Sequence, residues 1–198
     1  MTRRDTKPPE KSPDPSPTVG GSEFAARFQS SFRVLWLIAV GITGDRWLAE
    51  DVVQEAAIIA LNKLNQFQAG TNFTAWTGQI VRNVALNSIR KERRHKTSPI
   101  AASGVEAEPA GRTTVEGFGG IERPDFDDRV LRALGDVGEI ARACLLLRTL
   151  EGLEYTEISR LLEIPEGTAM SHVHRTRQYL RDRLADVWNE ERTKEGPR

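Results

Sequence analysis

Two stretches of this chain, residues 23–96 and 125–190, repeat apolar side chains every three or four positions, and the stretch between them repeats nothing. Residues 97–124 hold five glycines and three prolines with neither a helical nor an alternating period, which predicts a flexible linker. No β-alternation stands out elsewhere. The pattern therefore predicts an all-α fold of two small helical domains joined by that linker. The length of 198 residues fits, since domains average about 150 residues and two small ones are within reach. Residues 1–22 carry five prolines and almost no large apolar side chains, and they read as a disordered tail. Residues 191–198 read as a second tail.

Within the first block, Phe24, Phe28, Phe32, Leu35 and Ala39 recur at helical spacing, and Gly41 and Gly44 read as interruptions. Asp45 is placed to cap a second helix, which carries a wide apolar band from Leu48 to Leu64. Gln66 to Asn72 reads as a loop with Gly70 as breaker. A third helix has Phe73, Trp76, Ile80 and Val84 on its inner face and ends in a basic run from Arg90 to Lys96. Trp36 and Trp47 are expected as core aromatics or as contacts for a partner, with the core reading first. In the second block, Val130, Leu131 and Leu134 suggest a short helix. Helices are then expected at Ala141–Leu150, at Tyr155–Leu162 and from about Glu166 to Trp188.

Several function classes drop out on composition. The longest unbroken apolar run, Val34 to Val40, is far below the roughly 20 residues of a membrane span, so no membrane insertion is expected. The N-terminal stretch lacks the apolar segment of a secretion signal. One cysteine, Cys144, excludes a disulfide framework and fits a cytoplasmic address. With only three histidines to join it, a Cys/His zinc site is not expected, and no cofactor is implied. The net charge of zero conceals an asymmetry. Residues 23–96 hold ten Lys/Arg against six Asp/Glu, whereas residues 125–198 hold twelve against fifteen.

Three features carry chemistry. In YTEISRLLEIPEGTAMSHVHRTRQYL, residues 155–180, two helices meet across a tight turn, and the second opens with the small or polar residues Gly167, Thr168, Ala169 and Ser171. That is the pattern of a helix-turn-helix whose second helix enters the major groove, with His172, Arg175 and Arg177 able to reach base edges or phosphates. In RNVALNSIRKERRHK, residues 82–96, six Lys/Arg against one Glu suit a nucleic-acid backbone, although a basic helix end also complements the helix dipole. Asp51 and Glu55 share one helix face beside Glu50 and Gln54. Without a nucleophile, a metal-ligand partner or a phosphate loop, these carboxylates read as a solvated face or a dock for a basic partner rather than a catalytic pair.

At these residues the chain resembles a bacterial RNA polymerase sigma factor of the sigma-70 family, of the extracytoplasmic-function (ECF) type. AEDVVQEAAIIAL (49–61) resembles the polymerase-binding helix of region 2. FTAWTGQIVRNVALNSIRKERR (73–94) resembles its promoter-melting and −10-reading helix. LEGLEYTEISRLLEIPEGTAMSHVHRTRQYLRDRL (150–184) resembles region 4, which reads the −35 element. The resemblance implies a non-enzymatic factor that binds core RNA polymerase, at its β′ clamp and β flap, and promoter DNA. An anti-sigma factor is a further candidate partner. It implies that Asp51, Gln54 and Glu55 face the clamp, and that Arg82, Asn83 and Arg90 lie along the non-template strand. The loop from Phe67 to Asn72 would hold a flipped −10 base. Thr168, Ser171, His172 and Arg175 would meet the −35 duplex, with Arg177 nearer the phosphates. Asn87, Met170 and His172 depart from the residues usual at those positions. The rival readings are a helix-turn-helix regulator acting without polymerase, and an interaction module that touches no DNA.

Overall fold

The computed structural model describes residues 20–68, 70–97 and 133–194, and these form helices and connecting turns. The expected N-terminal tail up to residue 19, most of the linker, and Val130 and Leu131 of the expected short helix lie outside the described residues. In chain order the helices are α1 (Gly21–Thr43), α2 (Arg46–Asn62), α3 (Phe73–Thr97), α4 (Glu139–Leu150), α5 (Tyr155–Leu162) and α6 (Glu166–Lys194). A single 3-10 turn, Leu64–Gln66, follows α2.

The boundaries follow from local chemistry. Gly44 ends α1 in the left-handed region at φ 72°, and its N–H donates to the carbonyl of Val40 at 2.8 Å. The Asp45 carboxylate accepts from the N–H groups of Trp47 (2.7 Å) and Leu48 (3.0 Å), which is the cap expected for α2. Asn72 does the same for α3, accepting from Ala75 N–H at 2.9 Å. Helix α6 continues past the expected end near Trp188 to Lys194, because Asn189–Lys194 holds no breaker and is mostly good helix formers. The residues expected as a C-terminal tail are thus helical up to that point.

Gly41 does not interrupt α1, contrary to expectation; the helix runs through it to Thr43. The reason is tertiary. A β-carbon at Gly41 would lie 2.5 Å from the Cα of Ala143 on α4, so only glycine admits α4 at this depth. Gly78 of α3 plays a milder version of the same part, with the Leu161 side chain of α5 in the space its β-carbon would take.

Through these contacts the two helical units meet. Helix α1 packs along α2, α3 and α4, and α3 also packs on α5. One buried cluster runs from Phe24 and Trp36 through Val53 and Val81 to Ala143, Leu147, Ile158 and Val173. Across the joint, the buried Arg142 guanidinium donates from Nε to the carbonyl of Gly41 (2.6 Å) and from Nη2 to that of Ile42 (3.0 Å). Its Nη1 donates to Leu134 of its own unit (3.1 Å). Arg33 pairs with Glu151, and Arg93 with Glu139. Cys144 is fully buried beside this joint, and burial pushes its thiol up to about 12, which leaves it unreactive.

Replacing the α2 cap tests the local argument. Asp45→Ala should lower unfolding stability by about 1 kcal/mol, read from the urea midpoint at unchanged m-value.

Candidate nucleic-acid interface

The helix-turn-helix is built from α5, the turn at Glu163–Pro165 and α6. Helix α5 opens with a reciprocal capping box: the Glu157 carboxylate accepts from Glu154 N–H at 2.9 Å, and the Glu154 side chain accepts from the backbone N–H of Glu157. Arg148 at the end of α4 braces the approach, donating to the carbonyl of Leu153 (2.8 Å) and the carboxylate of Glu154 (3.0 Å) while its guanidinium lies over the Tyr155 ring at 4.9 Å. In the turn, Glu163 takes φ 50°, ψ 49°, a conformation that favours glycine or asparagine. The Ser159 hydroxyl donates to the carbonyl of Ile164 at 2.6 Å. Pro165 then starts α6, its carbonyl accepting from Thr168 and Ala169.

Helix α6 seats Ala169, Val173 and Thr176 in the core. With 100° between successive residues, the opposite side carries Ser171, His174, Arg175 and Gln178, all exposed. Thr168 and the half-buried His172 lie on one flank of that stripe, and the exposed Met170 and Arg177 on the other. His172, expected at base edges, therefore stands beside the outward stripe, whereas His174 stands in it. The phase of the buried residues Ala169, Val173 and Thr176 was the signal that could have separated the two histidines in the sequence.

On α3 the exposed residues Asn83, Asn87, Arg90 and Arg94 form one stripe at spacings of four, three and four. The Arg90 guanidinium lies 3.4 Å from the amide oxygen of Asn87. Arg82 is turned toward the C-terminal unit. Its Nη1 donates to Asn83 at 3.1 Å and to the carboxylate of Glu163 at 3.2 Å, so it joins the stripe to the helix-turn-helix turn.

The loop preceding α3 is held by its aromatics. Phe67 is 8% exposed, with its ring edge-on to Phe73 (centroids 5.5 Å apart) and tilted against Trp76 (5.2 Å). Phe67 is thus a core anchor, with no open face for a base to stack on. Asn72 is exposed, and its amide oxygen is committed to capping α3. About 15 Å of helix separates this loop from Asn83. The burial of Phe67 was not legible because a lone aromatic beside Gly70 fits a binding loop and a core plug equally well.

On α2 the exposed stripe comprises Trp47, Asp51, Ile58 and Leu61, with the half-buried Gln54 between them and Glu55 at its edge. Ile58 is 63% exposed, Leu61 50% and Trp47 41%. Of the two expectations for the tryptophans, Trp36 takes the core one, whereas Trp47 is exposed and only the contact one remains for it. Three large apolar side chains left in water on one helix side, with Asp51 and Glu55 among them, make a candidate interaction surface, since exposed apolar patches mark such sites. Apolar period alone merged Ile58 and Leu61 with the core band, since α2 is apolar on more than half its circumference.

Among the described residues no group of three or more His, Cys, Asp or Glu side chains could hold a metal ion, and no helix is long and apolar enough to cross a membrane.

Comparison with known proteins finds the same division. The family model "Sigma-70 region 2" matches residues 28–95, and "Sigma-70, region 4" matches residues 127–180. The ECF RNA polymerase sigma factor SigE of Mycolicibacterium smegmatis is 31% identical over 151 residues, which are 76% of this chain and 57% of that protein, so the chain spans little more than half of its length. The ECF RNA polymerase sigma-E factor of Escherichia coli K12 is 30% identical over 142 residues, 68% of this chain and 72% of the relative. In fold, the chain is similar to the sigma factor RpoE solved in complex with the anti-sigma factor NepR from Bartonella quintana, with a TM-score of 0.62 at 23% identity over 83% of this chain and 98% of that one.

Phe67 separates anchoring from base capture. Phe67→Ala should cost about 3–5 kcal/mol in a urea titration, whereas Phe67→Leu should keep most of the stability. With the helix-turn-helix of α5 and α6, the polar stripe of α3 and the matched regions in the same order, the chain belongs to the sigma-70 family of RNA polymerase sigma factors, in its ECF branch.

Proposed function

We propose that the chain binds core RNA polymerase through the open stripe of α2 and directs it to promoter DNA, residues 23–96 serving polymerase binding and −10 opening and residues 125–190 serving −35 recognition. The observation that carries this reading is the pairing of two surfaces in one chain: an apolar and acidic stripe suited to a protein partner, and a helix-turn-helix whose reading side stands open to solvent. An interaction module has no use for the second, and an autonomous regulator, which would use the first as a dimer interface, would bind its DNA tightly without polymerase.

In this reading Asp51, Gln54 and Glu55 meet a basic helical surface of the β′ clamp, with Trp47, Ile58 and Leu61 supplying the apolar contact that gives such an interface most of its affinity. The C-terminal unit engages the β flap. Asn83, Asn87 and Arg90 line the path of the separated −10 strand, joined by Arg82 once it is released from Glu163. The loop anchored by Phe67 presents its backbone and Asn72 to an extruded base, whose unstacking costs a few kcal/mol that contacts must offset. Ser171, His174 and Arg175 read −35 base edges, with Thr168 and His172 on one border and Arg177 on the other, near phosphates. The factor works in the cytoplasm, supplies recognition and melting rather than covalent chemistry of its own, and has an anti-sigma factor as a further partner.

The decisive test is promoter-dependent transcript initiation by the purified chain mixed with core polymerase. Tight, specific promoter binding by the chain alone, with no gain from core polymerase, would favour the autonomous regulator instead. Reversing both charges in Asp51→Lys/Glu55→Lys should weaken core binding at least tenfold, about 1.4 kcal/mol or more, with unchanged helical circular dichroism. Arg175→Ala should relax preference at one or two −35 positions by about 1–3 kcal/mol each, and His174→Ala should shift that preference more than His172→Ala does. Arg177→Ala should weaken all promoters alike and lower the salt slope by about one. A promoter library assayed at two salt concentrations measures all four variants.

A further inference from the structure

We infer that Met170 reads the 5-methyl group of a thymine in the −35 element, a specificity contact beside those assigned above, and that Gly167 lets the helix come close enough to make it. The contact presupposes the reading of α6 as the −35 helix and names one chemical group that this helix recognises.

Met170 is 49% exposed. Among the described residues the other large apolar side chains left in water, Trp47, Ile58 and Leu61, all lie on α2, so the α2 surface does not account for it. Nor does the core, since Ala169 and Val173 are buried and Met170 points about a quarter-turn away from the buried side. Met170 also stands early in α6, which begins at Glu166, and in a helix-turn-helix it is the N-terminal part of the second helix that meets base edges. Arg177 shares its side of the helix but stands about 10 Å farther along the axis, where phosphates come within reach. His174, one turn on, is its neighbour in the outward stripe.

The chemistry of the side chain selects its target. A thioether has no hydrogen-bond donor and is a weak acceptor, so it gains nothing from a phosphate or from the polar base edges that arginine and asparagine pair with. The apolar group that a base pair shows in the major groove is the thymine methyl. Methionine is unbranched, flexible and polarisable, and it can settle against such a group without a fixed approach angle. Glu166, exposed and one turn before Met170 on the same side, sets a carboxylate where a phosphate would be repelled. That side of the helix start is therefore unsuited to gripping the backbone.

Gly167 is an independent sign of close approach. Glycine weakens a helix relative to alanine. Gly41 and Gly78 have a reason inside the protein, since other helices occupy the space of their β-carbons. At Gly167 a β-carbon would meet nothing within 4 Å. The residue is exposed on the outward side of the first turn of α6, one turn before Met170. Nothing in the fold calls for a glycine there, so what its missing side chain admits comes from outside the protein.

Uracil in place of thymine isolates the group, since it removes the 5-methyl and leaves every hydrogen-bonding atom of the base pair in place. The −35 element that the holoenzyme prefers in the promoter library is rebuilt with each thymine, on either strand, changed to uracil in turn. Holoenzyme formed with the unaltered chain should lose about fourfold in promoter affinity at one thymine, which is what burying one methyl group contributes. With Met170→Ala the thymine and uracil promoters should bind alike, and with Met170→Leu part of the difference should remain. Gly167→Ala should weaken promoter binding and reduce the same difference, with no fall in its urea midpoint, because the added methyl meets only solvent in the free chain.

Uracil tolerated at every position by the unaltered chain, or a uracil loss that persists in Met170→Ala, would overturn the methyl contact. A preferred −35 element without an A·T pair would do the same. Loss of affinity for core polymerase itself in Met170→Ala would move Met170 to a protein contact and overturn it too. Undiminished promoter binding by Gly167→Ala would overturn the part given to the glycine. Failure of the −35 reading has its own signature: Met170→Ala, His174→Ala and Arg175→Ala would then all leave the −35 preference unchanged, and the methyl contact would fall with that reading. Where Arg175→Ala shifts the preference and uracil changes nothing, the −35 reading stands and the methyl contact alone is overturned.

Discussion

The placement of a guanidinium against the end of a helix organises this molecule. Arg142 is buried, and burial alone depresses its affinity for its proton, an effect that Glu139 only partly offsets. A buried arginine is tolerable when its donors are occupied, and three backbone carbonyls from two parts of the chain occupy them here. Because two of those carbonyls terminate α1, the central helix of the first unit, the arginine ties the second unit to the element on which α2 and α3 are both packed. Gly41 and Gly44 are the counterpart of Arg142, since each makes room for a group of α4 that a side chain would exclude.

Around that joint the surfaces sort by partner. Helix α2 turns carboxylates and large apolar groups outward, α3 turns amides and guanidinium groups outward, and α6 presents short and polar side chains at the start of a helix. In the function proposed above, these three surfaces serve a protein partner, a separated strand and a duplex groove respectively. Arg82 of α3 is drawn to Glu163, while the outward sides of α2 and α6 remain exposed.

The phase of a helix decides which of two neighbouring residues faces solvent. His172 and His174 are chemically equivalent in the sequence, and rotation about α6 separates them because Ala169, Val173 and Thr176 point at the core. Phe67 shows the opposite case: an aromatic in a loop is drawn inward by Phe73 and Trp76 and holds the loop from beneath.

Local signals in the amino-acid sequence were enough for the helical class, the existence of all six helices, the Asp45 cap, the Gly70 break, and the helix-turn-helix between Tyr155 and α6. They were sufficient because periodicity, capping and turn chemistry act over a few residues, and the motifs that carry the family resemblance lie on single helices. The tertiary structure alone decided that Gly41 lies within a helix, that Trp47, Ile58 and Leu61 face out while Phe67 faces in, and that Arg82 is paired with Glu163. Each of these depends on a contact between residues far apart in the chain, about a hundred positions apart for Gly41 and Arg142. No local period encodes which of several apolar faces meets a neighbour and which is left in water.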